Sequence, residues 1–234
     1  MAAADDQTEY RQTPYAPPAG ATEVLLVRHG ASQAARPDSP FPLVDGHGDP
    51  ELASEGRVQA ERVGERLSAV PLDAVYVTSL RRTAETAAPL VRRNGLEPLV
   101  EKDLREVHLG EWEGGLFRKM IHENGPVARR LWAEERWDVI PGGEPTEVFA
   151  ARVRGAIDRI VAAHPDARVA VFTHGGVIAQ ALALASGSRP FAFLGADNGS
   201  ISQLVVVGGQ WAVRRFNDTA HLETDLEAGF TPLT

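Results

Sequence analysis

Residues 24–30 read VLLVRHG, an apolar run of β-strand type that stops at a histidine followed by glycine. Residues 169–176, VAVFTHGG, repeat this pattern later in the chain. A short apolar strand that ends in this way delivers its last polar side chain to the carboxyl edge of a sheet, where open α/β folds bind their ligands. The repetition therefore predicts that His29 and His174 face one pocket.

The ligand of that pocket is indicated by Arg28, which directly precedes His29. A guanidinium fixed at the end of a strand favours an anion with several oxygens, and phosphate is the first candidate. Either histidine alone would more often be a hydrogen-bonded edge or core residue than a catalyst. Only the pair favours catalysis.

Composition restricts the class of protein. Of the 234 residues, 43% are hydrophobic and 24% are charged, as in an ordinary globular protein. The net charge of -8 disfavours binding to nucleic acid or to anionic membranes, and no apolar stretch is long enough for a transmembrane helix. Because the chain contains no cysteine, histidine is the natural residue for covalent chemistry.

The two ends of the chain differ in character. Residues 1–20 are polar and proline-rich without an apolar core, which predicts a flexible N-terminal tail and not a secretory signal. Residues 21–234 are expected to form a single α/β domain. The default compartment is cytoplasmic, and the oligomeric state is open, with a homo-oligomer among the alternatives.

The order of the predicted elements specifies a layered fold. Helices are expected at residues 54–69, 80–93, 116–137 with a break at 124–126, and 176–185, and a long amphipathic helix begins near Val148 or Phe149. Ser54 is expected to cap the first helix, with Val58, Val63 and Leu67 on its buried face. Strands at 74–77 and 98–100 alternate with these helices, and 201–216 are typical of a terminal hairpin. We expect an α/β three-layer sandwich with a mostly parallel central sheet and a small helical covering segment at about residues 115–141.

Phosphoryl transfer without a metal needs a nucleophile, cations around the phosphoryl oxygens, and an acid for the leaving group. We expect His29 to attack as a neutral imidazole whose far nitrogen is held by a backbone carbonyl. The groups expected to bind the phosphate are Arg28, Arg82, His174 and the backbone N–H groups at Gly30, Gly175 and Gly176. The acid is sought in the loop at 103–115, which contains Glu106, Glu111 and Glu113.

Four stretches resemble the motifs of one family: 26–30 (LVRHG), 78–87 (TSLRRTAETA), 104–114 (LREVHLGEWEG) and 173–176 (THGG). In this order and spacing they resemble the histidine phosphatase superfamily, also called the phosphoglycerate mutase-like family, over about residues 23–222. The resemblance implies a phosphoglycerate mutase-like sandwich, a phosphate pocket that includes Arg82, and a proton donor at Glu106. It implies no metal ion and no other cofactor.

The chain departs from the family pattern at Ala35, where many members have an asparagine that touches phosphate. One phosphate hydrogen bond is therefore expected to be missing, although Ser32 keeps a hydroxyl near that place. Arg81 is expected to be a solvated neighbour of Arg82. Glu144 is expected to cap the helix that follows it, with substrate contact as the alternative.

Together these residues predict a phosphoric monoester hydrolase that acts through a phosphohistidine on a small phosphorylated substrate, with broad specificity as one alternative. Its ligands are then a small-molecule phosphomonoester or inorganic phosphate. Two other classes stay open: a phosphoglycerate mutase-type isomerase, and a noncatalytic module that binds a phospholigand. The short segment at 115–141 favours hydrolysis, because the mutases of the family carry a longer basic insertion there.

Overall fold

The computed structural model of the protein describes residues 10–36 and 38–222. The predicted tail at 1–20 and the predicted domain at 21–234 are therefore described only in part, because residues 1–9 and 223–234 lie outside the described residues. Residues 10–20 are exposed and form no helix or strand.

A six-stranded sheet forms the centre of the protein, in the order β5-β4-β6-β1-β7-β8. Its strands are β1 (Thr22–Arg28), β4 (Ala74–Val77), β5 (Leu99–Val100), β6 (Arg168–Thr173), β7 (Ile201–Val207) and β8 (Gln210–Asp218). The first four are parallel to one another, and β7 and β8 add an antiparallel hairpin at one edge. A separate small pair, β2 (Leu43–Val44) and β3 (His47–Gly48), lies in the loop after β1. The prediction of a mostly parallel sheet is confirmed.

Helices cover both faces of this sheet, as the three-layer prediction requires. They are α1 (Ser54–Ser68), α2 (Arg81–Asn94), α3 (Leu116–Glu123), α4 (Pro126–Glu134), α5 (Thr146–Ala163) and α6 (Gly175–Ser186). Alternate residues of β1 point to opposite faces: Leu25 and Val27 pack with α1 and α2, whereas Val24 and Leu26 pack with α5 and α6. The second face carries the larger core, which extends to α3 and α4.

Two local predictions for α1 are wrong. The N-cap residue is Ala53, not Ser54, and no side chain caps the helix. Val58 is 61% exposed, because it lies five residues before Val63 and therefore about 140° around the helix from it. The buried face is instead made mainly by small residues, which let α1 approach α2 closely.

The predicted covering segment consists of α3 and α4, which are separated at Asn124 and Gly125. Phe117 of this segment contacts the rings of Trp112 and Trp137, so it is attached to the loops above the sheet by aromatic packing. The long helix α5 buries Phe149, whereas Val148 is 54% exposed, which decides between the two predicted starts of its apolar face. In the described part of the chain, every helix is too short or too polar to cross a membrane.

The strand register determines where the site forms. β1 and β6 are adjacent and parallel, with Arg28 opposite Thr173. The next residue of each strand is a histidine, so His29 and His174 leave the sheet at the same edge. The predicted convergence of the two His-Gly strand ends is confirmed.

Candidate active site

Hydrogen bonds of its backbone and its ring fix the position of His29. Its N–H donates to Thr173 O at 3.0 Å, and its carbonyl accepts from Asn198 Nδ2 at 2.9 Å. Its ring nitrogen Nδ1 lies 2.8 Å from Gly30 O. Because a carbonyl can only accept, Nδ1 carries the proton and Nε2 keeps the lone pair of the neutral ring. This is the backbone carbonyl that the sequence predicted.

The turn after His29 requires a glycine. A Cβ at Gly30 would lie 2.4 Å from the carbonyl oxygen of Gly56 at the start of α1. The next residue, Ala31, is also tied to α1, because its N–H donates to Gln59 Oε1 at 2.8 Å. The first turns of α1 therefore fix the path of the chain directly after His29.

His174 is fully buried behind His29. The two rings are in edge contact, with centroids 5.2 Å apart. The Nε2 atom of His174 lies 3.1 Å from Thr78 Oγ1, while its Nδ1 atom is buried and has no hydrogen-bond partner among the described residues. Burial and the nearby guanidiniums, chiefly that of Arg82, lower the pKa of both histidines well below the usual range, so both are neutral at pH 7.

Arg28 and Arg82 bring two cations to this edge of the sheet. The Nη1 of Arg28 donates to Ala196 O, and its buried Nε has no partner within the described chain. The Nη1 of Arg82 donates to Gly48 O at 2.8 Å, and burial lowers the pKa of this arginine to about 10. Neither guanidinium forms an ion pair with a carboxylate of residues 10–36 or 38–222.

The carboxylates of the loop at 103–115 differ in their surroundings. Glu106 accepts from Val107 N at 2.9 Å and from Gly176 N at 3.1 Å, which places its carboxyl group at the start of α6. Glu113 accepts from Leu109 N and Gly48 N and joins the loop to β3, whereas Glu111 is exposed. The contact with α6 favours Glu106 among the three predicted acids.

A cavity of about 140 Å³ opens at this edge. Its walls are formed by Arg28, His29, Ser32, Phe41, His47, Gly48, Pro50, Arg82, Glu106, Val107, Leu109, Trp112, Glu113, Gly115, Phe117, Arg118 and Trp137. A smaller cavity of about 90 Å³ adjoins it, where Arg28 and Glu106 meet Gly175 and the rings of Trp132 and Trp137. All the predicted site residues therefore lie in or directly behind one concave region.

The model for the histidine phosphatase superfamily, branch 1, matches residues 24–219. The chain belongs to this superfamily. Phosphoglycerate mutase-like protein 4 of Arabidopsis thaliana is 36% identical over 219 residues, which cover 89% of this chain and 91% of that protein. Glucosyl-3-phosphoglycerate phosphatase of Mycobacterium tuberculosis is 34% identical over 204 residues, with coverage of 82% and 87%.

Solved structures agree with these sequence relatives. The complex of a mycobacterial glucosyl-3-phosphoglycerate phosphatase with inorganic phosphate matches with a TM-score of 0.71 at 31% identity, over 85% of this chain and 98% of that one. The predicted class of enzyme, a histidine phosphatase, is confirmed.

Several predictions about this histidine phosphatase site need correction. Glu144 does not cap α5: it forms an ion pair with Arg152 at 2.7 Å and accepts from His108 N. The N–H groups of Gly30 and Gly176 are not available to a phosphate, because they donate to Thr86 Oγ1 and to Glu106. The prediction for Arg81, by contrast, is confirmed: its side chain is exposed, and it pairs with the carboxylates of Glu51 and Glu85.

Three contributors were missed by the sequence. Arg152 donates to the carbonyl oxygens of Asp103, Arg105 and Glu106, and so holds the acid-bearing loop of the histidine phosphatase in place. Thr78 contacts His174, and Arg118 enters the cavity from α3. None of these contacts has a signal in the local sequence, because Glu144 precedes α5 and lies eight residues before Arg152, outside the spacing at which helix side chains pair.

Proposed function

We propose that the protein is a metal-independent phosphomonoesterase that acts through a phosphohistidine at His29. The observation that carries this proposal is the set of unsatisfied polar groups around His29: buried Arg28 Nε, buried His174 Nδ1 and the lone pair of His29 Nε2. Buried polar atoms normally have partners. A tetrahedral phosphoryl group would supply acceptor oxygens to the first two and an electrophilic phosphorus to the third.

The reaction then has two steps. In the first, His29 Nε2 attacks phosphorus, the bond from phosphorus to the ester oxygen breaks, and protonated Glu106 gives its proton to the leaving alkoxide. In the second, the Glu106 carboxylate takes a proton from water, which attacks phosphorus, and the bond from phosphorus to nitrogen breaks. Each oxygen of Glu106 accepts one backbone N–H, so each keeps a lone pair on which this proton can reside.

The cations stabilise charge on the phosphoryl oxygens during both steps. Arg82 is buried, Arg28 is half-buried, and neither forms an ion pair in the described part of the chain, so their positive charge remains available to the ligand. A cavity of about 140 Å³ and the phosphate complex of the mycobacterial relative both support inorganic phosphate as product and small phosphomonoesters as substrates. We infer that residues 21–234 act as one domain, which the family match over 24–219 supports.

The proposal is tested with the purified protein in the presence of a chelator. We expect release of inorganic phosphate from a generic monoester such as p-nitrophenyl phosphate, and its loss in His29→Ala. The matched control is His122→Ala, which removes an exposed histidine of α3 and should retain activity. Quenching a reaction with ³²P-labelled ester should trap an acid-labile label on the wild-type protein; the same label on His29→Ala would refute the assignment of the nucleophile.

The mutase and binding-module alternatives are separated by two further assays. A mutase would interconvert the two monophosphoglycerates in the presence of a bisphosphate primer faster than it releases phosphate. A binding module would bind phosphate without turnover of any member of a panel of phosphorylated metabolites. We expect phosphate release to dominate, because the covering segment consists only of the short helices α3 and α4.

A further inference from the structure

Arg118 is a third guanidinium at the cavity, and neither the sequence motifs nor the proposed reaction uses it. It projects from α3, with Nη2 2.6 Å from Ser32 Oγ and Nη1 2.7 Å from Gln33 O. The adjacent residue on the helix, Lys119, pairs with Glu123 at the surface. By contrast, Arg118 has no carboxylate partner among the residues that the structure describes.

The charge of Arg118 reaches the reacting groups. Burial lowers its own pKa, and its positive charge contributes to lowering the pKa values of Arg28, His29 and Arg82. Three guanidiniums thus share one cavity, and each of them donates to backbone carbonyl or hydroxyl oxygens instead of a carboxylate of the described chain. Burial lowers the pKa values of Arg28 and Arg82, and Glu106 lies close enough to oppose this shift without pairing with either, so the three cations together favour an anionic ligand in the cavity.

The position of α3 depends on a small residue in the loop after β1. A Cβ at Gly115, directly before α3, would lie 2.9 Å from Ala35 Cβ and 2.9 Å from the ring of Phe41. The start of α3 therefore touches Ala35, the position at which the sequence departs from the family pattern. A side chain at residue 115 would therefore have to displace the start of α3 or the ring of Phe41.

We propose that Arg118 is a further substrate-binding residue, which donates to oxygens of the transferring phosphoryl group. A guanidinium has five N–H donors, of which Gln33 O and Ser32 Oγ occupy two here. The remaining donors replace the phosphate contact that is missing at Ala35. This inference rests on the proposed function only in assigning the cavity to phosphate.

The test measures binding of inorganic phosphate by calorimetry, which needs no turnover and is therefore independent of the proposed reaction. We expect Arg118→Ala to bind phosphate about 10- to 100-fold more weakly than wild type, as for loss of a charge-assisted hydrogen bond. Arg118→Lys should recover part of this loss. The control Lys119→Ala removes the same charge from an exposed position of α3 and should leave the affinity unchanged.

A purely structural role, in which Arg118 only fastens the loop at residues 32–33 to α3, predicts a different result. Arg118→Gln keeps a donor for Ser32 but loses the charge, so a fastening role predicts near-normal phosphate affinity, whereas our proposal predicts weak binding. Added ethylguanidinium should partly restore phosphate binding to Arg118→Ala. Wild-type phosphate affinity in a folded Arg118→Ala or Arg118→Gln variant would overturn the proposal. So would an effect confined to esters with an anionic leaving group, because Arg118 would then contact the leaving group.

Discussion

Replacing Gly176 by alanine tests the role of Glu106 without touching its side chain. A Cβ at Gly176 would lie 2.4 Å from Glu106 Oε1 and 3.2 Å from its Cδ. Carbon and oxygen need about 3.4 Å, so the carboxyl group must retreat by about 1 Å. It also loses good geometry in its hydrogen bond from Gly176 N, which is 3.1 Å long.

The expected consequence is a selective loss of catalysis. A displacement of about 1 Å in a reacting group costs about 100-fold in rate, which corresponds to roughly 2.7 kcal/mol of barrier. The loss should appear in kcat for alkyl phosphates, whose alkoxides need a proton to leave. p-Nitrophenyl phosphate should react at nearly the wild-type rate in the first step, because nitrophenolate leaves without an acid.

The free energy of unfolding should change little. The helix preference for alanine over glycine, at most about 1 kcal/mol, offsets the weakened hydrogen bond to Glu106, and the obstructing group is the flexible end of a side chain. Gly155→Ala is the matched control, since a Cβ there would lie 3.5 Å from Arg159 Nη1, an ordinary contact. A folded Gly176→Ala enzyme with wild-type kcat on alkyl phosphates would refute the reasoning about Glu106.

Three other perturbations have defined outcomes. Arg152→Met leaves the Glu144 carboxylate unpaired at a site where the Arg152 and Glu144 side chains are only 18% and 11% exposed. Urea denaturation should therefore show a decrease of about 2 to 3 kcal/mol in the free energy of unfolding, together with a reduced kcat. If neither value changed, Arg152 would not position the acid-bearing loop. The pKa values of His29 and His174 are lowered in the folded protein, so below about pH 6.5 these imidazoles bind protons in the unfolded chain but not in the folded one. The free energy of unfolding is therefore greatest above that pH and decreases below it. The urea midpoint should therefore fall between pH 7 and pH 5.5, and less so in His174→Gln; an equal fall in both proteins would argue against this cause. Thr78→Val removes the hydroxyl beside His174 Nε2 and should lower kcat/KM about fivefold. Steady-state kinetics on any monoester substrate measure this effect, and an unchanged kcat/KM would show that the hydroxyl does not support His174.

The sequence was sufficient where function depends on the ends of regular elements. His29 and His174 follow apolar strands that form adjacent parallel strands, so their convergence was predictable from two short runs. Arg82 follows from the start of a helix after another strand. In each case the position of the side chain is determined by the strand or helix that carries it.

Positions that depend on how separate elements dock were not predictable. Arg118 is one of several basic residues between positions 116 and 137, and nothing in the local sequence distinguishes it from Lys119. Its side chain reaches the cavity because α3 packs on the loop after β1, where Arg118 donates to Ser32 Oγ and Gln33 O. Glu144 was wrongly predicted as a cap because its partner, Arg152, lies two turns further along α5, where a side-chain ion pair competes with capping.

The pairing of Arg28 with Thr173 across β1 and β6 has a consequence for diversification of this enzyme. Main-chain hydrogen bonds between β1 and β6 set the spacing of the two imidazoles. The covering segment of α3 and α4 is part of the core, but it borders the cavity through Phe117 and Arg118. Substitutions at these cavity-facing positions can therefore alter which alcohol is accommodated while the interval between the two rings stays constant, so that new selectivity can evolve without a corresponding loss of chemical competence.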